Sequence, residues 1–189
     1  MASDETYLFE RCPAGACVTA GGDSLIVDPE TMRFLPHSAG GTREIPADGR
    51  WMRVSFRPRK AALGMANLAD CTLEELGRRV FRLGIYGTLT FAPAHIAGLK
   101  PLLLSRDAAT PDEVLFLLQP ELKPAVSKAV CGALDGVRDY RKIRDEMLPR
   151  LARAISPALF GALFENGLCM HCGSFRIENI SRPVIKRPA

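Results

Sequence analysis

SPALFGALFENGLCMHCGSFRIENISRP, residues 156–183, joins a helical pattern to an extended one across a single glycine. Leu159, Phe160, Leu163 and Phe164 recur at helical spacing and predict an apolar face. Ser156-Pro157 predicts the start of that helix, with the serine as cap and the proline in the first turn. Gly167, after Asn166, can take the left-handed backbone that ends it. Beyond Gly167 the period becomes two. Leu168, Met170 and Cys172 share one parity, whereas Phe175 and Ile177 share the other. A bulge near Gly173 would carry the inward face from one parity to the other.

Working outward, the pattern changes near residue 92. Before it, short apolar runs alternate with turn signals and read as strands. Thr6–Glu10, Ala16–Ala20 and Ser24–Val27 are such runs, and Gly21-Gly22-Asp23 between the last two signals a hairpin. Trp51, Arg53 and Ser55 alternate with Met52, Val54 and Phe56. Val80–Ala92 is the clearest strand: Phe81, Leu83, Ile85, Leu89 and Phe91 fall on one parity, and Arg82, Tyr86, Thr88 and Thr90 on the other. Gly84 and Gly87 inside it predict a bulge or the close approach of another element.

After residue 92 helical periodicity dominates. Thr110-Pro111-Asp112-Glu113 opens a helix, with Thr110 as cap, Pro111 at the first position and Glu113 closing a capping box. Val114–Leu118 is apolar on all sides and predicts burial. Pro120 and Pro124 predict a break or restart; Leu122, Val126, Val130 and Leu134 continue a stripe. A second long helix is expected from about Tyr140 through Ile155, kinked at Pro149, because a proline in a helix interior removes a hydrogen bond at a cost of about 3 kcal/mol.

These elements predict a single α+β domain over residues 1–189: strand-rich over 6–92, helix-rich over 93–166, and closed by a strand over 168–181. A curved, mainly antiparallel sheet packed by three to four helices is expected.

The order of elements resembles the band 7 domain of the stomatin, prohibitin and flotillin superfamily, with its bacterial virion-core-like branch nearest. VFRLGIYGTLTFAP (80–93) followed by AHIAGL (94–99), the helix pair from Thr110 to Ile155, and ALFENGLCMHCGSFRIENISRP (162–183) carry the likeness. CPAGACVTAGGDSLIV (12–27) is similar to the opening hairpin of that domain. Asn166-Gly167, Ile177, Ile180 and Pro183 stand where the family has Tyr-Gly and Ile-x-x-Ile-x-x-Pro. Ala92-Pro93 and Ile96 replace its Asp-Pro and aromatic residue. The resemblance implies a non-enzymatic, membrane-linked scaffold that self-associates or binds a protein partner, with no cofactor. The chain holds no membrane-inserting hairpin, long coiled coil or zinc ribbon of the kinds relatives carry.

Composition bounds the alternatives. Charged residues at 24% and hydrophobic ones at 47% are the balance of a soluble globular chain. The opening MASDETYLFE lacks a basic and apolar leader, so the expected setting is a reducing cytoplasm with free thiols, extending to a membrane periphery. A net charge of +4 permits an anionic partner without demanding one, and nucleic acid is disfavoured. Arg53, Arg57, Arg59 and Lys60 form a basic run that suits an anionic membrane surface, although such runs are usually solvated faces.

Cys169 and Cys172 form the one Cys-x-x-Cys of the chain, and Cys12 and Cys17 could add a second pair to make a zinc or thiol site. Against this, Cys169 and Cys172 would point to opposite faces of a regular strand, and they follow a helix C-terminus, where the dipole disfavours a thiolate. Cys71 and Cys131 lie in apolar surroundings and read as small core residues. His37, His95 and His171 are scattered without a triad motif, and Gly40-Gly41-Thr42 reads as a turn, not a phosphate loop.

Overall fold

The computed structural model describes residues 6–19, 22–36, 42–73, 79–134, 147–181 and 184–186. The first half contributes β1 (Phe9–Arg11), β2 (Cys17–Thr19), β3 (Ser24–Asp28), β4 (Arg33–Leu35), β5 (Thr42–Glu44), β6 (Met52–Ser55), β7 (Arg59–Leu73) and β8 (Arg79–Pro93). Then come α1 (Ile96–Ser105), β9 (Ala108–Ala109), α2 (Pro111–Leu134), α3 (Leu148–Glu165), β10 (Leu168–Met170), β11 (Arg176–Ile180) and β12 (Val184–Lys186). The class is α+β.

Two five-stranded sheets and a two-stranded β2–β5 ribbon form among the described residues, and every described strand pairing is antiparallel. One runs β4-β3-β6-β1-β9. The other is built on β8, with β7 along one edge and β10, β11 and β12 in succession along the other. Its alternation is as the sequence predicts. Leu83, Ile85, Leu89 and Phe91 are buried, and Tyr86 is exposed. Opposite them β7 buries Ala61, Leu63 and Met65. The helices α2 and α3 cover this face through Leu118, Leu122, Leu151, Ile155 and Leu159. The same apolar cluster continues into Leu8, Phe9, Val27, Met52 and Val54 of the first sheet.

Gly167 has φ +76° and ends α3 as predicted. Gly173, at φ +69°, sits in a turn that separates β10 from β11, and the inward parity switches across it: Leu168 and Met170 are buried before it and Phe175 after it. The expected bulge is not at Gly173 but within β11, where the register shifts between Ile177 and Asn179. Ser174 staples this excursion to β8, donating to the Thr90 carbonyl (3.0 Å) and accepting from the Thr90 amide (3.1 Å). At Gly87 a Cβ would meet the backbone of β11, 3.1 Å from the Arg176 carbonyl carbon and closer still to its oxygen. The close approach expected at this glycine is therefore made by a neighbouring strand.

Several sequence expectations are corrected. Among the described residues β2 pairs with β5 and β3 with β4 and β6, in place of the β2–β3 hairpin expected around Gly21-Gly22-Asp23; Gly21 lies outside the described residues. Pro120 and Pro124 do not interrupt α2, which is one helix. Both prolines are exposed, so the carbonyls they leave unbonded face water while the buried stripe runs on unbroken. Pro149 stands in the first turn of α3 instead of kinking it. The part of that expected helix before residue 147 lies outside the described residues. Ser156-Pro157 does not start a helix: the Ser156 hydroxyl donates back to the Ala152 carbonyl at 2.8 Å within the continuous α3. Cys131 is disulfide-bonded, which overturns the free-thiol expectation for it. Residue spacing alone does not reveal which cysteines the fold brings together. The Cys71 side chain, His37 and the Gly40-Gly41 turn lie outside the described residues.

Asp28 is the one charged side chain in the described core, fully buried where β3 turns into β4. It accepts from the Glu30 amide (3.1 Å) and the Thr31 hydroxyl (2.5 Å), and Arg33 lies 3.5 Å away. Arg33 also bonds Asp48 at 3.2 Å and stacks on Trp51, 5.4 Å from its ring centre.

Candidate functional site

α3 has two sharply different sides. Leu151, Ile155, Leu159 and Leu163 are fully buried, whereas Arg150, Arg153, Pro157, Phe160 and Phe164 are exposed. The outer set recurs at three- and four-residue steps and so forms one stripe. Its first half is basic and its second half aromatic. Arg150 and Arg153 make no ion pair among the described residues. Phe160 and Phe164 are 44% and 48% exposed and stack on each other, 6.2 Å between ring centres and 8° from parallel. The helical spacing of 159, 160, 163 and 164 predicts that both rings are buried; only Leu159 and Leu163 are. The four-residue march 151-155-159-163 carries the signal, because it leaves 160 and 164 about 100° away around the helix.

His95 fixes the aromatic end. It caps α1, its Nδ1 accepting from the Gly98 amide at 3.1 Å, and its Nε2 bonds the Phe164 carbonyl at 2.9 Å. The two bonds select the neutral tautomer with the proton on Nε2. The ring also meets Phe164 edge-on, 5.2 Å between centres.

A second feature lies between β7 and the start of α2. It is a groove of about 370 Å³ lined by Leu63, Gly64, Asp112, Leu115, Phe116 and Gln119. Phe116 stands 69% exposed at its rim, which corrects the expectation that residues 114–118 are all buried. The outer edge of β7 is occupied by α2 side chains. Asp112 accepts from the Ala62 amide at 2.7 Å, and Gln119 donates to the Gly64 carbonyl at 2.8 Å. Glu113 closes the predicted capping box, accepting from the Thr110 amide at 2.8 Å.

The basic run is dispersed by its partners. Arg53 is ion-paired with Glu10, and Arg57 with Asp23 at 3.0 Å. Arg59 is half-buried at the start of β7, and Lys60 beside it is exposed. A larger cleft, about 600 Å³, is lined by Tyr7, Glu10, Arg11, Cys12, Trp51 and Asp107. Its charges are matched internally: Asp107 lies 3.0 Å from Arg50 and 3.6 Å from Arg11.

The cysteines do not form one set. Cys12 is buried against Ile26, Ile45 and Trp51, and Cys17 is exposed on the β2–β5 ribbon. Cys169 and Cys172 lie on and after β10 in the other sheet. Among the described residues no three His, Cys, Asp or Glu side chains are grouped to hold a metal ion. Burial pushes the Cys12 thiol up to about 11, outweighing the opposing pull of Arg53. At neutral pH Cys12 is expected to react with a thiol reagent far more slowly than Cys17 or Cys172, as mass spectrometry of timed labelling would show. Comparable labelling at all three would contradict the burial of Cys12.

No protein-family model and no curated protein matches the chain.

Proposed function

We propose that this chain is a non-enzymatic scaffold or interaction domain of band 7 type, acting by self-association or partner binding in the cytoplasm or at a membrane surface. The observation that supports this best is the outward display of Phe116, Phe160 and Phe164 on helices whose opposite sides are fully buried. Complete burial of such a side chain contributes on the order of 1.5–3 kcal/mol. Exposed apolar groups held in a stripe by a rigid helix are what an interface needs. No described helix is long and apolar enough to cross a membrane. Contact with an anionic surface would run through exposed cations such as Lys60, Arg150 and Arg153.

Light scattering over a concentration series tests the self-association arm. The mean mass is expected to rise with concentration. A strictly monomeric mass at the highest concentration reached would remove self-association from the proposal.

A further inference from the structure

We infer that the outer stripe of α3 on one molecule docks in the β7–α2 groove of a second copy, giving head-to-tail association. The inference rests on the self-association reading above and adds the surfaces that would carry it.

The groove itself selects the kind of occupant. An extended segment would bind an open strand edge through backbone hydrogen bonds. Here Asp112 and Gln119 already satisfy the Ala62 amide and the Gly64 carbonyl. Strand addition would have to displace both side chains. A helix satisfies its own backbone and brings only side chains, so it can use the groove as it stands.

The chain carries a helix with matching chemistry. The groove offers the exposed Phe116 ring, standing over buried Leu63 and Leu115, beside the carboxylates of Asp112 and Glu113. The α3 stripe offers Phe160 and Phe164 beside Arg150 and Arg153. Seating the stacked rings against Phe116 places Arg153 toward the acidic rim in one of the two helix directions. The Asp112 carboxylate remains an acceptor for a cation, because its hydrogen-bond partner is the neutral Ala62 amide; Glu113 is bonded to Thr110 and already feels the charge of Arg106, so Asp112 is the main anionic contact. Stripe and groove share no residue, and the buried leucines and isoleucine of α3 prevent the helix from leaving its own fold to fill its own groove. The contact is therefore between molecules and heterologous, so it propagates into a ring or a filament.

Three variants, and a mixture of the first two, test this. Phe116→Asp damages the groove, and Phe160→Asp/Phe164→Asp damages the stripe. All three positions are well exposed, so near-native melting curves are expected and serve as the folding check. Each variant alone is expected to associate at least tenfold more weakly than the unmodified chain in sedimentation velocity. An equimolar mixture should recover a complex that stops at the dimer, one intact stripe in one intact groove. Arg150→Glu/Arg153→Glu should weaken association similarly, and raised salt should do the same. A chain that is monomeric at every concentration would sink this inference together with the self-association reading. Association that survives all three variants, or a mixture that yields no dimer, would sink the inference alone. A monomeric chain that pelleted with anionic vesicles, and lost that binding in Phe160→Asp/Phe164→Asp, would reassign the stripe to a lipid surface and overturn the docking.

Discussion

Gly98→Ala is expected to destabilise the fold by about 3–5 kcal/mol, although alanine is the better helix former by about 1 kcal/mol. Gly98 lies in the first turn of α1, pressed against Gly167 at the end of α3. An added Cβ would lie 2.7 Å from the Gly167 Cα and 2.6 Å from the His95 ring. The Gly167 amide nitrogen is closer still, and these Gly167 atoms are backbone that cannot rotate aside, while the His95 ring is held by its bonds to Gly98 and Phe164. Relief requires α1 to move off the α3–β10 junction. That movement breaks the Ala94 and His95 amide bonds to the Gly167 carbonyl (2.7 and 3.3 Å) and the His95 bond to Phe164. Each bond contributes about 1 kcal/mol, and fully buried Leu99 and Leu103 lose packing as well. Gly167→Ala meets the same wall, 2.5 Å from the His95 carbonyl, and adds the strain of a positive φ. Gly132→Ala is the control. It is helical with nothing within 4 Å of its Cβ, so a gain of about 0.4–1 kcal/mol is expected. Urea unfolding midpoints compare the three. Equal stability of the Gly98 and Gly132 variants would refute the account.

The junction shows what could be read from sequence and what could not. Gly167 is legible because a helical pattern stops beside it and a left-handed residue is needed there. Its contact with Gly98, 69 residues earlier, leaves no trace in either local pattern, since a glycine in a helix reads only as a weak helix former. β8 is legible because its outward side is polar enough to alternate with its inward side. Its partner β7 is not, because the outward positions Ala62, Gly64 and Ala66 are small and apolar. The Tyr86 ring covers that side, 3.4 Å from where a Cβ on Gly64 or Gly84 would be, which is why small residues suffice. The helix breaks at Pro120, Pro124 and Pro157 are overridden for a common reason: each proline is exposed, so water satisfies the freed carbonyl and buried packing holds the helix together.

The candidate surfaces were legible only in part. Phe116, Phe160 and Phe164 are visible as apolar residues in helices, and hydrophobicity alone assigns them inward. Their exposure follows from which stripe the β8 sheet and the facing helix occupy, and that is set by tertiary packing. The basic run at 53–60 is altered in part by the fold, which pairs Arg53 and Arg57 and leaves Lys60 exposed. The partners are invisible in the local sequence: the fold delivers Glu10 to Arg53 across the first sheet and Asp23 to Arg57 from the segment before β3.

Asp28→Ala is expected to cost about 2–4 kcal/mol at neutral pH, and to flatten the loss of stability in acid. Burial alone would raise this carboxyl. The Thr31 hydroxyl, the Glu30 amide and the Arg33 guanidinium outweigh burial and hold it below the ordinary carboxylate range. The sign follows from that direction. A carboxyl with a folded pKa below its unfolded value contributes stability that is fully present above the unfolded value and is lost as pH falls through the folded one. The unmodified chain should therefore lose stability as pH drops below about 4, and Asp28→Ala should lose less over the same interval because its contribution is already gone. Glu113, held low by the Thr110 amide and hydroxyl, titrates in the same direction, so some acid dependence persists in the variant. The comparison is consequently between slopes, read from urea midpoints at several pH values between neutrality and strong acid. The cost at neutral pH has an identifiable source: removal of the carboxylate strands the Thr31 hydroxyl and Glu30 amide in the turn and takes from Arg33 one of its two carboxylates. Gly49, at φ +99°, is packed so closely that a Cβ would lie 3.0 Å from the Asp28 carboxylate, so the space around the charge is already closed. Identical acid slopes in the variant and the unmodified chain would show that Asp28 is not the titrating anchor of this hairpin.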